Sequence, residues 1–470
     1  MQRSEPLPEI IQGGMGVAVS NWRLANAVSR AGQLGVVSGT GMDTVLIRRL
    51  QDGDPGAHMR RAMERFPMPG VTQDVLRRYF NPHGRPPGAA YKLLSMYRQR
   101  VNTARQQVTI LANFVEVTLA KEGHDGPVGI NLLTKVQLPN MASLYGAMLA
   151  GVNVVLMGAG IPREIPGVLD ALADHRQATM RFEVEGLGRE ETEWIRFDPS
   201  EHWPSPAAAL ERPRFLAIVS SASLAATLAR KSNGRVDGFV VEGPTAGGHN
   251  APPRGELRLT ERGEPIYGER DAVDLAKMRE LALPFWLAGG VASPEGRRAA
   301  RVAGAAGIQV GTMFAFCDEA GLSLEVREQV LDAVADGTAS VRTDPRASPT
   351  GYPFKLVELP GEHDSAQQRQ RICDIGYLRT PARTAEGRLV YRCPAEPVDA
   401  YVAKGGDAAD TVGRRCLCNG LIATVGHPQS RATGDEPPLV TSGDDLLRMQ
   451  RFLSGRRRYT AQDVIDYLLS

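Results

Sequence analysis

Short apolar runs, each ending near glycine or serine, alternate with segments of helical pattern along most of this chain. Such alternation predicts parallel strands joined by right-handed helical crossovers. Because eight units favour a closed barrel over an open sheet, we expect an α/β fold, a TIM (β/α)8 barrel. The candidate strands are Glu9–Gln12, Gly35–Ser38, Val128–Leu132, Asn153–Met157, Phe215–Val219, Gly238–Val241, Phe285–Leu287 and Gly307–Val310. The candidate helices between them are Trp22–Ala31, Met141–Ala150, Ile165–Ala173, Ser223–Arg230, Asp271–Leu281 and Pro294–Ala303.

A helical insertion follows the second candidate strand. It spans Asp43–Asp125 and has helical patterns at Val75–Tyr79 and Ala90–Ala112. Loops that follow the strands of such a barrel lie on its catalytic face. We therefore expect the insertion to act as a lid or as a wall of the substrate site.

Two further segments exceed a minimal barrel. Alternating apolar and polar residues at Met180–Phe197 predict an added hairpin. We expect residues 1–340 to form the barrel and residues 341–470 to form a C-terminal, cysteine-containing extension. Its tail, Ser442–Leu469, is predicted to form two short helices separated by Ser454 and Gly455.

The overall charge excludes some classes of partner. With 55 basic and 53 acidic residues the net charge is +2, so no global field would recruit nucleic acid or an acidic membrane. No run approaches the roughly 18 apolar residues that span a bilayer. Met1–Pro8 also lacks the basic and apolar regions of a secretory signal. We expect a cytoplasmic protein that acts on a small-molecule substrate.

The loop Val241–Gly255 carries the clearest sign of chemistry. Gly247 and Gly248 allow the backbone to approach a ligand closely, and the lone His249 follows them. Imidazole titrates near neutrality, so His249 can take or give a proton. The loop therefore predicts a ligand edge with one acid/base group, the alternative being a hydrogen-bonded loop histidine.

The last two predicted strands each end in a glycine-containing loop. Ala288-Gly289-Gly290 follows the seventh strand and Gly311-Thr312 follows the eighth. In barrels of this type the loops after strands seven and eight commonly bind a phosphate through backbone N–H groups. Together these loops predict a phosphate cradle, although each dipeptide alone is compatible with an ordinary turn.

At this point the sequence resembles a known family. The chain is similar to the flavin mononucleotide (FMN) barrels that include nitronate monooxygenases and the flavin-dependent enoyl reductases. The blocks that carry the resemblance occur in the expected order over Pro8–Phe316. They are Ile11–Met15, Gly129–Leu133, Ala246–His249, Leu287–Val291 and Gly307–Phe314.

The resemblance implies a role for each matching residue. It places an FMN isoalloxazine edge along Gln12, Gly13, Gly14 and Met15, with Asn131 reaching the flavin or the ribityl chain. It makes His249 the catalytic base near the reactive nitrogen of the flavin. The ribityl and phosphate side is implied to be formed by Gly247, Gly248, Ala288, Gly289, Gly290, Gly311 and Thr312.

The resemblance implies two enzymatic functions. In the first, which we favour, the protein oxidises alkyl nitronates or nitroalkanes with dioxygen. In the second, NAD(P)H visits the same pocket transiently and an enoyl thioester of fatty-acid or polyketide metabolism is reduced. A third interpretation is a slow flavin-binding accessory protein that docks through its cysteine region.

Four cysteines lie in the C-terminal extension. Cys416 and Cys418 form a tight pair, while Cys373 and Cys393 arrive from separate segments. Four thiolates can bind zinc or an iron–sulfur cluster, although a single intervening residue is an atypical spacing. The alternative is four buried free thiols. Cys317, beside the eighth strand, is expected to serve packing.

Several charged residues have two interpretations each. Glu242 either tunes His249 or caps a loop, and Lys135 and Arg163 either contact an anion or are solvated. The cluster Arg456–Arg458 is expected to be solvated surface or a contact within a homo-oligomer.

Overall fold

Eight parallel strands form the centre of the molecule in this computed structural model, which describes residues 6–188, 190–203, 208–359 and 369–470. Each strand pairs in parallel with the next around the ring. The barrel strands are β1 Ile10–Gln12, β2 Gly35–Ser38, β3 Val128–Leu133, β4 Val154–Gly158, β7 Arg214–Val219, β8 Gly238–Glu242, β9 Phe285–Ala288 and β10 Gly307–Val310. The predicted strands and the (β/α)8 barrel are thus confirmed.

The ring closes between its first two strands. The Gln12 N–H donates to the Leu34 carbonyl at 2.9 Å, and the Leu34 N–H donates to the Ile10 carbonyl at 3.1 Å. Alternate strand residues then point inward, and Ile11, Val154 and Trp286 belong to one fully buried cluster inside the ring. The other face of each strand packs on the helices, as expected for a sheet buried on both sides.

The first ten helices surround the barrel or belong to the insertion. The long helix α5 packs against α1, α2 and α6. The bounds are α1 Trp22–Arg30, α2 Met42–Gln51, α3 His58–Met63, α4 Pro69–Tyr79, α5 Thr103–Ala120, α6 Gln137–Leu149, α7 Ile165–Ala173, α8 Ala222–Lys231, α9 Leu275–Glu280 and α10 Pro294–Val302.

The predicted helix Ala90–Ala112 is wrong over its first half. Residues 90–102 are irregular, and the helix begins only after Asn102, whose side chain accepts the Arg105 N–H at 2.8 Å. The backbone before it is held by side chains from elsewhere. Gln429 accepts the Tyr91 N–H at 3.1 Å, and Gln51 accepts the Lys92 N–H at 2.7 Å. These partners stabilise the non-helical backbone.

Two smaller expectations also have clear outcomes. The hairpin predicted within Met180–Phe197 is present as antiparallel strands β5 Ala178–Phe182 and β6 Glu193–Phe197, with residue 189 outside the described range. The helix predicted over Asp271–Leu281 is shorter than expected. It begins only after Asp274, whose side chain accepts the Lys277 N–H and caps the helix.

The extension forms small hairpins and short helices that pack on the barrel. The tail contains the two predicted helices, and the last one packs against α1, α10 and α11. The elements are α11 Thr312–Ala315, α12 Leu324–Ala335, β11 Ser340–Asp344, β12 Phe354–Glu358, β13 Thr380–Arg383, β14 Leu389–Arg392, α13 Val398–Ala403, α14 Leu417–Thr424, β15 Ser430–Arg431, β16 Gly434–Asp435, α15 Met449–Leu453 and α16 Ala461–Leu469. Within the described ranges, no helix combines the length and the apolar character needed to cross a bilayer.

Candidate active site

A cavity of about 230 Å³ lies at the carboxyl end of the barrel strands. The loops after most of these strands line it, as expected for the ligand-binding face of such a barrel. Of the predicted site residues, the structure brings together Gly13, Gly14, Met15, Asn131, Gly247, Gly248, His249, Ala288, Gly289, Gly311 and Thr312. We call this space the main cavity.

The C-terminal extension, rather than the insertion, forms the outer wall of the main cavity. Tyr377, Leu417, Cys418 and the segment 441–445 contribute to its lining. Among the described residues that line it, none comes from the insertion 43–125. The expectation of a lid or substrate wall is therefore wrong. The insertion instead contacts a residue of this wall, because Asp43 accepts a hydrogen bond from the Tyr377 hydroxyl.

His249 lies between the main cavity and a second, smaller cavity of about 180 Å³. Its Nε2 is hydrogen-bonded to Ser348 Oγ at 2.7 Å, and its ring lies edge-on to Phe354 at 4.8 Å between centroids. Burial lowers the pKa of His249 to about 4. The imidazole is therefore neutral at physiological pH and can accept a proton.

Glu242 ends strand β8 and also lines both cavities. Burial raises the pKa of its carboxyl to about 7. Within the described part of the chain no side chain or backbone group is paired with it. Of the two interpretations, the loop cap is not supported, because a capping carboxylate would accept backbone N–H bonds.

The loop after β1 and the side chain of Asn131 form one side of the main cavity. Asn131 Nδ2 donates to the Gly14 carbonyl at 3.2 Å, and a Cβ atom on Gly14 would lie only 2.2 Å from Asn131 Cβ. Gln12 does not line the cavity. Its amide donates to the Gly13 carbonyl and to Ser20 Oγ, while its Oε1 accepts the Val36 N–H, so its hydrogen bonds are used to shape this loop.

Two buried polar atoms favour a ligand with hydrogen-bonding groups in the main cavity. Thr40 and Gln309 line it, and within the described ranges Thr40 Oγ1 and Gln309 Oε1 are buried without a hydrogen-bond partner. Leaving such atoms unpaired is costly, so their placement indicates a polar ligand edge. Gly248 has φ +77° and open space around its missing side chain, which leaves room for that ligand. The residues present thus fit the FMN that the sequence predicts.

The predicted phosphate loops after β9 and β10 both line the main cavity. Gly289 has φ +89°, and a Cβ atom there would lie 2.8 Å from the Ala246 backbone nitrogen. Thr312 begins the short helix α11 and faces the cavity with Gly311. Gly290 does not line the cavity, and its backbone N–H lies near the Asp445 carboxyl.

The four cysteines of the extension line one small cavity. Burial raises the pKa of each thiol, and Asn419 Nδ2 donates to Cys416 Sγ at 3.6 Å. Among the described residues, which include all five cysteines, no group of three Cys, His, Asp or Glu side chains is arranged to hold a metal ion. The structure therefore gives no support to zinc or an iron–sulfur cluster at Cys373, Cys393, Cys416 and Cys418.

Lys135 and Arg163 lie away from the main cavity. Lys135 is near Glu183 at 3.8 Å and above the Tyr352 ring, and Arg163 donates to the Lys231 carbonyl at 2.7 Å. Both therefore bind other parts of the protein surface.

Sequence reasoning missed the contribution of the extension to this site. Ser348 lies in a segment rich in proline and glycine, which predicts a turn. Nothing in that segment predicts a hydrogen bond from Ser348 to His249. The residues Thr441–Asp445 carry no recognisable motif. Their role depends on contacts with loops more than a hundred residues away in the chain.

Comparisons with known proteins show which families and structures the chain is similar to. The family model for nitronate monooxygenase matches residues 116–347. A nitronate monooxygenase of Pseudomonas aeruginosa is 35% identical over 120 residues, which cover 26% of this chain and 32% of that protein. A probable nitronate monooxygenase of Staphylococcus haemolyticus is 28% identical over 130 residues, which cover 27% and 35%. The chain thus matches about a third of the length of each of these curated relatives.

Two solved structures are similar over most of the chain. FabK of Thermotoga maritima has a TM-score of 0.47 and 18% identity, covering 98% of this chain and 91% of that one. A nitroalkane oxidase of Streptomyces ansochromogenes has a TM-score of 0.44 and 16% identity, covering 98% and 94%.

Proposed function

We propose that this chain, whose residues 116–347 match the family model for nitronate monooxygenase, is an FMN-dependent oxidoreductase of that family. Its proposed reaction is the oxidation of alkyl nitronates or nitroalkanes by dioxygen, with His249 as the base. Bound FMN would supply the redox centre. Gly13, Gly14, Met15 and Asn131 would hold its ring side, and Gly289, Gly311 and Thr312 its phosphate side.

The placement of His249 is the observation that carries this proposal. It is half-buried, neutral and positioned where the main cavity meets the second cavity. Since Nε2 is bonded to Ser348, the free ring nitrogen is Nδ1, which has no partner among the described residues. In the proposed reaction Nδ1 takes the proton from the carbon that bears the nitro group, and Ser348 keeps the ring in that orientation.

A spectroscopic experiment tests the cofactor and the reaction together. We expect the purified protein to show flavin absorbance and to release FMN on denaturation. Under anaerobic conditions an alkyl nitronate should bleach the flavin rapidly, and NADPH should not. A colourless protein that does not take up added FMN would refute the proposal, as would a flavin that neither compound bleaches.

The variant His249→Ala tests the base. We expect it to retain FMN while turnover of a neutral nitroalkane falls by about two to four orders of magnitude. Turnover of a preformed nitronate should fall much less, because its proton has already been removed. His83→Ala, which changes an exposed histidine in the insertion, is the control. Equal losses with the two substrates would contradict the role of a base.

An enoyl-thioester reductase is the second candidate function. The observation in its favour is the apolar character of the main cavity on the side of the extension, where Leu378, Leu417, Leu421 and Leu439 lie. Such a wall suits an acyl chain. Rapid bleaching by NADPH, followed by reoxidation with an enoyl thioester, would support this function instead of the first.

A further inference from the structure

The segment Thr441–Asp445 of the extension crosses the loops that are proposed to hold the cofactor phosphate. The Thr441 hydroxyl accepts the Gly248 N–H at 3.0 Å, and the Asp444 N–H donates to the Thr245 carbonyl at 3.0 Å. The Asp445 carboxyl lies against the backbone N–H groups of Ala292 and Gly290. The segment therefore contacts the loop after β8 and the loop after β9 at once.

The same segment orients the side-chain hydroxyl of Thr312, which follows β10. Thr312 Oγ1 accepts the Gly443 N–H at 2.9 Å and lies 3.4 Å from Ser442 Oγ, whose single hydrogen can also be donated to the Gly443 carbonyl oxygen at 3.3 Å. A hydroxyl accepts two hydrogen bonds and donates one. The Gly443 N–H fixes one acceptor position of the Thr312 hydroxyl on the side of the segment, and Thr312 also lines the main cavity, so its hydrogen can be donated to a ligand there.

Gly443 fits between these loops because it has no side chain. Its backbone is extended, with φ −86° and ψ 173°, so the conformation itself does not require glycine. A Cβ atom at this position would lie 2.9 Å from the Thr245 carbonyl oxygen and 3.0 Å from both the Gly247 nitrogen and Thr312 Oγ1. An alanine would therefore push the segment away from the phosphate loops.

We propose that Thr441–Asp445 is part of the phosphate-binding site and that Gly443 is a positioning residue, which holds the Thr312 hydroxyl for donation to a phosphate monoester. This inference rests on the proposed function, because FMN is the ligand that would bring the phosphate. It assigns a cofactor-binding role to a segment outside residues 116–347, the part of the chain that matches the family model.

The test compares FMN with riboflavin, which lacks only the phosphate, in binding titrations of the flavin-free full chain. In Gly443→Ala we expect the FMN affinity to fall about tenfold, equivalent to about 1.4 kcal/mol. The riboflavin affinity should stay within about twofold of wild type, because the ring side is unchanged. Gly70→Ala, where an added Cβ atom meets nothing within 4 Å, is the matched control and should change neither affinity.

A double variant tests whether Gly443 acts through Thr312. Thr312→Val alone should lower FMN affinity, and adding Gly443→Ala should lower it little further, since the hydroxyl is already gone. If Gly443→Ala fails to fold, Thr441→Val replaces it. This variant removes the acceptor of the Gly248 N–H with little change of shape, and we expect the same selective loss of FMN affinity.

Each remaining outcome has a distinct meaning. A wild-type protein that prefers FMN, with Gly443→Ala and Thr441→Val both unaffected, overturns this inference and leaves the proposed function intact. Equal weakening of FMN and riboflavin by the variants also overturns it, since the segment would then support the whole cavity. A wild-type protein that binds neither flavin refutes the proposed function and this inference together.

Discussion

Replacing the Glu242 carboxyl by an amide should make the protein more stable at alkaline pH. Burial raises the pKa of Glu242 to about 7 from an ordinary value of 4.5. Below pH 4.5 the Glu242 carboxyl is protonated in both the folded and the unfolded chain, so it does not change the free energy of unfolding. As the pH rises from there to about 7 the unfolded chain loses the proton first, and the folded state is progressively disfavoured.

The size of the effect follows from that difference in pKa. Each unit is worth about 1.36 kcal/mol, so the shift corresponds to at most about 3 kcal/mol of stability lost above neutral pH. Because Glu242 is only partly buried, solvent screens part of this cost, and we expect about 1–2 kcal/mol. The variant Glu242→Gln has the same shape and no charge, so it should not show this loss.

Urea denaturation at pH 5 and at pH 8.5 measures the difference. The free energy of unfolding of Glu242→Gln should exceed that of the wild type by about 1–2 kcal/mol more at pH 8.5 than at pH 5. Glu256→Gln, an exposed glutamate in the loop that follows His249, is the control and should track the wild type at both values. A constant offset between Glu242→Gln and wild type at the two pH values would refute the reasoning.

Two further substitutions test the cavity and its support. Gly289→Ala should lose most bound FMN, seen as a lower flavin-to-protein absorbance ratio, because its Cβ atom would lie 2.8 Å from the Ala246 nitrogen. Gly351→Ala has a similar positive φ but open space, so it should keep its flavin; equal losses would contradict the crowding argument. Asp43→Asn should cost about 3–5 kcal/mol in urea denaturation, because the Arg105 guanidinium, 2.6 Å away, is left buried without its counter-charge. The exposed pair of Asp74 and Arg77 provides the control, since Asp74→Asn should cost less than about 1 kcal/mol, and similar costs for both would show that burial is not decisive.

The barrel could be predicted from sequence because its signals are local. Most of the strands are short apolar runs followed closely by glycine or serine, and chain order fixes the neighbours in a parallel barrel. The same local logic selected Gly289, Gly311 and Thr312, which line the main cavity. Their predicted part in a phosphate site was based only on their position directly after the last two strands of the barrel.

The outer wall of the cavity could not be predicted in this way. It depends on pairings between distant segments, such as Gly443 with Thr312 and Tyr377 with Asp43. Gln12 shows a related difficulty, since its place in a family block gave no sign that its amide is used within the protein. Irregular backbone at Tyr91 was missed because its stabilising partner, Gln429, lies at the other end of the chain.

The crossing of Thr441–Asp445 over the barrel has a consequence for how the molecule matures. During synthesis the eight strands emerge before this stretch does, and domains fold largely in the order in which they leave the ribosome. In the newly made barrel the main cavity would thus lack its outer wall, and Thr312 would still be without its Gly443 partner. Capture of any ligand that needs the completed site has to wait until Thr441–Asp445 has been synthesised and has docked on the barrel, so ligand loading reports that docking.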